Sequence, residues 1–192
     1  SATCECVKAR YAKLLKEQLS SVLPIADQNF SKFDMSFYST RPDGRSGISP
    51  RENMEYNLGE CKAYAAKFSK DSPNLLLFGS TGLGKTFLST CIAEAVSARG
   101  FSVAYDTAIN IVAAYETIKF GSGDGEAAAE RAARYERADL LIIDDMGTEM
   151  GTAFTVSALY NLINNRLMAK RPMIINTNLL PEPLSEKSSP AV

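Results

Sequence analysis

A chain of 192 residues, 45% apolar and with a net charge of −1, has room for one α/β domain plus an appendage and carries no global basic field for nucleic acid. The absence of histidine excludes His-based acid–base catalysis and His metal sites, and four cysteines are too few for a disulfide framework, so a reducing cytoplasm is the expected setting. No apolar run approaches the length of a membrane span and no signal-peptide pattern is present, so no membrane contact is expected. The first residue is Ser1 rather than Met, which suggests a trimmed start.

Cys4-Glu5-Cys6 comes first. Two close cysteines are half of a zinc set at most, and tetrahedral zinc needs four ligands, so no metal is expected from this pair alone. Cys61 and Cys91 fall within predicted helices and read as small core residues. Residues 5 to 20 have helical character, with Val7, Tyr11, Leu14, Leu15 and Leu19 on one face. Lys8, Arg10, Lys13 and Lys16 lie elsewhere on it, where a solvated face is a commoner explanation than nucleic-acid contact. Residues 21 to 50 are irregular, with Phe30, Phe33, Phe37 and Tyr38 among polar residues. Such a cluster packs a linker onto a domain more often than it lines a base pocket.

Ser49-Pro50-Arg51-Glu52 is a helix start, with Ser as N-cap, Pro at N1 and Glu at N3. The helix is expected to run to about Lys70 and to bury Met54, Leu58, Cys61, Ala65 and Phe68. Asn74 to Phe78 then reads as a buried strand. It feeds Gly79-Ser80-Thr81-Gly82-Leu83-Gly84-Lys85-Thr86, which fits G-x-x-x-x-G-K-[ST], the phosphate-binding P-loop. The segment from Phe87 to Arg99 has helical spacing, with Leu88, Cys91, Ile92, Ala95 and Val96 apolar. The loop thus sits between a strand and a helix, as the motif requires. Glycines let successive N–H groups point at one anion, and the helix dipole adds to that field. Lys85 can reach the β- and γ-phosphates and the Thr86 hydroxyl can ligate Mg²⁺. The nucleotide-binding set is Gly79, Ser80, Thr81, Gly82, Leu83, Gly84, Lys85, Thr86 and Phe87, for ATP or ADP with Mg²⁺.

Phe101 to Tyr105 reads as a second strand, followed by a helix from Thr107 to Lys119 and another from Ala127 to Arg137. The glycine-rich stretch Gly121 to Gly125 separates them. Tyr115, Lys119 and Phe120 combine aromatics with a cation, the pairing that binds single strands without sequence preference. Leu140 to Asp145 is an apolar strand ending in two acids, a Walker B pattern, expected beside the P-loop strand. Asp144 would hold Mg²⁺, through water, and Asp145 would orient the attacking water. A helix over Thr152–Ala169 is expected to turn Val156, Leu159, Ile163 and Leu167 inward, leaving Arg166 as a solvated charge or an interface residue. Pro172 to Thr177 is the next strand, and a polar side chain at Thr177-Asn178 would lie between the two Walker strands, near the γ-phosphate. Lys85, Asp145 and Asn178 are the residues expected to act in catalysis. Residues 181 to 192 are rich in Pro and Ser, with no further strand, so the domain looks cut at its C-terminal end.

These motifs resemble the AAA+ ATPases of the DnaC/DnaI type, the bacterial replicative helicase loaders. They are also similar to the IstB-like transposition helper ATPases. The stretches that carry the resemblance are Phe30-Ser31-Lys32-Phe33-Asp34, Leu141 to Gly147 and Ile174 to Leu179, within residues 28 to 188. The resemblance implies a three-layer αβα fold of the ASCE class around a parallel sheet, with Asn178 as sensor 1. It implies that the helices of residues 107 to 137 face single-stranded DNA in an ATP-bound helical self-assembly. It also implies that residues 1 to 48, with Cys4 and Cys6, are the remnant of an N-terminal zinc module that binds the replicative DNA helicase, ahead of an ATPase core over 49 to 192. An arginine finger and a second sensor arginine would follow Val192.

Two functions from different branches follow from the resemblance: a helicase loader on single-stranded DNA, and a transposition helper on duplex DNA. The Cys-x-Cys remnant and the aromatic linker tilt toward the loader. A small-molecule kinase shares the P-loop but needs an arginine-rich lid, and none is evident. A nucleotide-binding scaffold that does not hydrolyse is the remaining alternative.

Overall fold

The computed structural model describes residues 28–44, 47–121, 123–147 and 151–179. Cys4, Cys6 and the helix expected over residues 5 to 20 lie outside them. Helix α1 spans Pro50–Lys67 and starts on the expected capping box, with Ser49 Oγ accepting from Glu52 N and Glu52 Oε2 accepting from Ser49 N. It ends three residues early because Phe68 turns out of the helix and into the core. Strand β1 (Leu75–Phe78) leads through the P-loop into α2 (Lys85–Ala98). Then come β2 (Val103–Thr107), α3 (Ala108–Phe120), α4 (Gly125–Arg137), β3 (Leu140–Met146), α5 (Ala153–Met168) and β4 (Met173–Thr177).

The four strands are all parallel, in the order β1-β4-β3-β2. Leu140 to Ile143 is apolar at every position because both faces of β3 are covered. Leu140 and Ile142 pack with α1 and α2, while Leu141 and Ile143 pack with α3, α4 and α5. The result is the expected three-layer αβα arrangement. One placement differs: β3 is not beside the P-loop strand, because β4 lies between them. That order carries the ends of β1, β4 and β3, and hence Asn178, to one edge of the sheet.

The end of β2 and the buried face of α5 also differ from expectation, for physical reasons. Strand β2 runs on to Thr107, past the polar Asp106, because that carboxylate is buried and accepts bonds from the Tyr135 hydroxyl (2.7 Å) and Asn110 Nδ2 (2.8 Å). Asp106 thereby ties β2 to both α3 and α4. Helix α5 is rotated from the expected face. Val156 is 61% exposed and Leu167 49%, whereas Ala158, Leu159, Leu162 and Arg166 point inward. Arg166 is neither solvated nor at the surface. Its guanidinium donates to the carbonyls of Tyr135, Glu136, Ala138 and Pro172 at 2.7–3.1 Å. Burial lowers its pKa to about 10. Cys61 and Cys91 are core residues, and burial pushes their thiols up to about 11 and about 12.

Candidate nucleotide-binding site

The loop between β1 and α2 depends on glycine conformations. Gly79, Gly82 and Gly84 have φ of 136°, 82° and 89°, which L side chains avoid. Gly84 is the N-cap of α2 and offers no side-chain cap. The first-turn N–H groups of α2 are therefore left without a capping side chain, the condition in which a helix N-terminus receives an anion. A Cβ on Gly84 would sit 2.8 Å from the Tyr38 hydroxyl, which donates to Leu83 O at 3.1 Å. Phe33 stacks on Tyr38 and meets the edge of Phe87. The aromatic linker thus packs on the P-loop, the reading preferred from sequence, while Phe37 stays exposed.

Lys85 and Asn178 close the site from opposite sides. Lys85 Nζ donates to Gly79 O (2.8 Å), Ser80 O (2.9 Å) and Asn178 Oδ1 (2.7 Å). A cleft of about 320 Å³ opens here, in which Gln28, Phe87, Asp145 and Asn178 join the residues of the P-loop. Asp145 reaches it through a left-handed backbone (φ 52°) at a break in the β3–β4 register between Ile143 and Met146. Just beyond, Gly147 is pinned: a Cβ there would meet Leu179 at 2.6 Å, so the chain after β3 packs directly on the chain after β4.

Thr86 Oγ1 lies 3.3 Å from Asp144 Oδ1. A hydroxyl and one carboxylate, both oxygen donors at the foot of a phosphate-type loop, fit Mg²⁺, which takes a few protein oxygens and completes its shell with phosphate and water. Among the described residues no cluster of three or more His, Cys, Asp or Glu offers an all-protein cage. Asp144 is 3% exposed, and the Tyr105 hydroxyl donates to its Oδ2 at 2.6 Å. Burial, and then the Asp144 charge, pushes the Tyr105 phenol up, so it remains the donor. Asn176 Nδ2 donates to Asp144 Oδ1 and to Ser89 Oγ, both at 2.8 Å, while Asn176 Oδ1 is buried without a partner.

All the residues expected from Gly79 to Phe87, with Asp144, Asp145 and Asn178, meet at this edge of the sheet. Gln28, Ser89, Tyr105 and Asn176 were not anticipated. The available signal for Asn176 and Tyr105 was a polar side chain inside an otherwise apolar strand, which must find a buried partner. Tyr115, Lys119 and Phe120 lie elsewhere, on α3. Phe120 is 65% exposed and Lys119 Nζ sits 4.5 Å from the centre of the Phe154 ring, but Tyr115 is half-buried, its hydroxyl 3.5 Å from Glu136.

Known proteins resemble this chain in sequence and in fold. The chain is 25% identical over 154 residues to the replicative helicase loader DnaC of Escherichia coli K12, a match covering 72% of this chain and 62% of the loader. It is 28% identical over 108 residues to an ATP-binding protein in an insertion sequence of Mycobacterium tuberculosis, covering 56% and 41%. It therefore spans less than two thirds of the length of either relative. In three dimensions it superposes on the crystal structure of the DnaC helicase loader with a TM-score of 0.62 at 17% identity, covering 84% of this chain and 82% of that one. Residues 60–186 match the family of IstB-like ATP binding proteins, and the chain belongs to that family.

Proposed function

We propose that this chain is the Mg²⁺-dependent ATPase core of a bacterial replicative helicase loader. The observation that carries the reading is the convergence of Lys85, Thr86, Asp144, Asp145 and Asn178 from three parallel strand ends around the uncapped start of α2. The P-loop amides and Lys85 would bind the β- and γ-phosphates, and Thr86 and Asp144 would hold the cation. When bound, Mg²⁺ supplies charge neutralisation at the phosphate oxygens. Asp145 would orient the attacking water, and Asn178, already in contact with Lys85, would sense the γ-phosphate.

The likeness to the E. coli loader supports a role in replication with the replicative helicase as partner; single-stranded DNA binding, ATP-dependent self-assembly and a cytoplasmic setting belong to the same proposal. Lys119 and Phe120, exposed together at the end of α3, are the candidate DNA contacts, with the cation and the ring that strong salt dependence and stacking would require. Residues 1 to 48 would belong to the helicase-binding part. One observation favours a second reading: the family match and the insertion-sequence relative both fit a transposition helper acting on duplex DNA.

The deciding experiment mixes the full-length protein with a replicative helicase and ATP, then reads complex formation by size-exclusion chromatography with light scattering. A stable complex, with preference for single-stranded over duplex oligonucleotide, is expected. No complex, together with tight duplex binding, would replace the loader with the transposition helper.

A further inference from the structure

The carboxylate assigned to the cation is unusual in what surrounds it. Asp144 is buried, and the groups that hydrogen-bond to it are all neutral: a phenol, a primary amide, a hydroxyl and a backbone N–H. Oδ2 accepts from Tyr105 at 2.6 Å. Oδ1 accepts from Asn176 Nδ2 at 2.8 Å, Asp145 N at 3.0 Å and Thr86 Oγ1 at 3.3 Å. Different donors hold the two oxygens from the two flanking strands, Tyr105 on β2 and Asn176 on β4, so rotation of the carboxylate would break bonds on both sides.

Counting protons closes the network. Ser89 Oγ, on the second turn of α2, donates to Thr86 O (3.1 Å) and accepts from Asn176 Nδ2 (2.8 Å). The Tyr105 proton goes to Asp144, so its oxygen and Ser89 Oγ are simply neighbours at 3.4 Å. Tyr105, Asn176 and Ser89 are 1%, 0% and 0% exposed. An arginine or lysine in their place would satisfy Asp144 as well, but would cancel the charge that a cation needs. Neutral donors orient the carboxylate and leave its charge for the metal.

We propose that Tyr105 and Asn176 are positioning residues for Mg²⁺, fixing the Asp144 carboxylate opposite Thr86 so that the pair can take the cation. This rests on the nucleotide site proposed above. Outer-shell partners of this kind typically contribute 10- to 100-fold in metal affinity.

The test separates the cation from the nucleotide. Binding of N-methylanthraniloyl-ADP is followed by fluorescence in EDTA and across a Mg²⁺ titration, for wild type, Tyr105→Phe and Asn176→Ser, with thermal unfolding as the control for folding. Tyr105→Phe removes one hydroxyl and keeps the ring in the core. Its affinity in EDTA should match wild type, while its Mg²⁺ midpoint should rise about tenfold or more. In an Asp144→Asn background the same substitution should add no further shift. A Mg²⁺ midpoint within about twofold of wild type in the folded variant would overturn the proposal, as would equal weakening with and without Mg²⁺, which marks a general packing role. Should Tyr105→Phe not fold, Asn176→Ser is read by the same criteria. A wild-type protein that binds the nucleotide but ignores Mg²⁺ would remove the metal assignment and this inference with it, whereas failure to bind both in EDTA and in saturating Mg²⁺ would sink the P-loop reading first.

Discussion

Lys85 Nζ and Asn178 Oδ1, 93 residues apart in the chain, are 2.7 Å apart in space. The ammonium also holds two carbonyls of its own loop, so three acceptors stand where phosphate oxygens would compete. Lys85→Ala should cost at least one charge-assisted bond to phosphate, about 1.5–3 kcal/mol, or roughly 10- to 100-fold in ADP affinity by calorimetry. Asn178→Ala should leave ADP affinity near wild type and reduce hydrolysis. Equal ADP affinity for wild type and Lys85→Ala would contradict the site.

The elements around this pair were legible because their signals are local. A capping box at Ser49, a strand before Gly79 and an apolar period after Thr86 each follow from short-range physics. What escaped was burial of polarity. Asp106 reads as the end of a strand until Tyr135 and Asn110, remote in sequence, are seen to satisfy it. Arg166 reads as a surface charge because four carbonyls, gathered from the end of α4 and the chain just before β3 and β4, leave no trace in its own helix. Turning α5 to bury that guanidinium also carried Val156 and Leu167 outward. The strand order was half legible: the Thr177-Asn178 end was expected between the two Walker strands, and β4 does lie there, but β3 was also expected directly beside β1, from which β4 separates it.

Arg166 therefore makes a stability prediction rather than a catalytic one. Its removal takes the side-chain donor from the buried carbonyls of Tyr135 and Ala138, while Glu136 O keeps Arg171 and Pro172 O keeps Leu141 N. Unsatisfied buried groups cost about 1–3 kcal/mol each, reduced where water enters. Arg166→Ala should destabilise by about 3 kcal/mol or more and lower Tm by roughly 6–12 °C. Arg166→Lys should recover only part, since one ammonium cannot span four acceptors. Nucleotide affinity of the folded fraction should be unchanged, which differential scanning fluorimetry with and without ADP would show.

Asp139 gives the acid limb. Burial alone would raise its carboxyl, but hydrogen bonds from Ser102 N and Oγ, with the Lys70 ammonium at 2.9 Å, hold it below its ordinary value of 3.8. A depressed folded-state pKa means that the unfolded chain binds the proton first. The contribution is fully present above about pH 4 and is lost as pH falls through the folded value. Asp139→Asn should lower stability at pH 7 and flatten the fall in stability below about pH 4, read by urea unfolding across pH. An unchanged acid limb would mean that Asp139 contributes nothing to it.

Turnover is the last consequence. Among the described residues lining the cleft, Lys85 is the one cation. Arg166 is committed to backbone carbonyls in the core and cannot serve here. Transition-state charge on the γ-phosphoryl group then lacks the second positive group that ATPases of this kind take from an arginine finger, worth roughly 10³- to 10⁵-fold in rate. Residues 1 to 192 alone should bind ATP and hydrolyse it very slowly. The rate per subunit should climb with protein concentration or added single-stranded DNA, as a cation supplied by a neighbouring copy requires. Asp145→Asn should keep nucleotide affinity and lose the turnover that remains. A brisk ATPase from residues 1 to 192, independent of concentration in a phosphate-release assay, would show that the chain completes its own site and would overturn the neighbour-supplied cation.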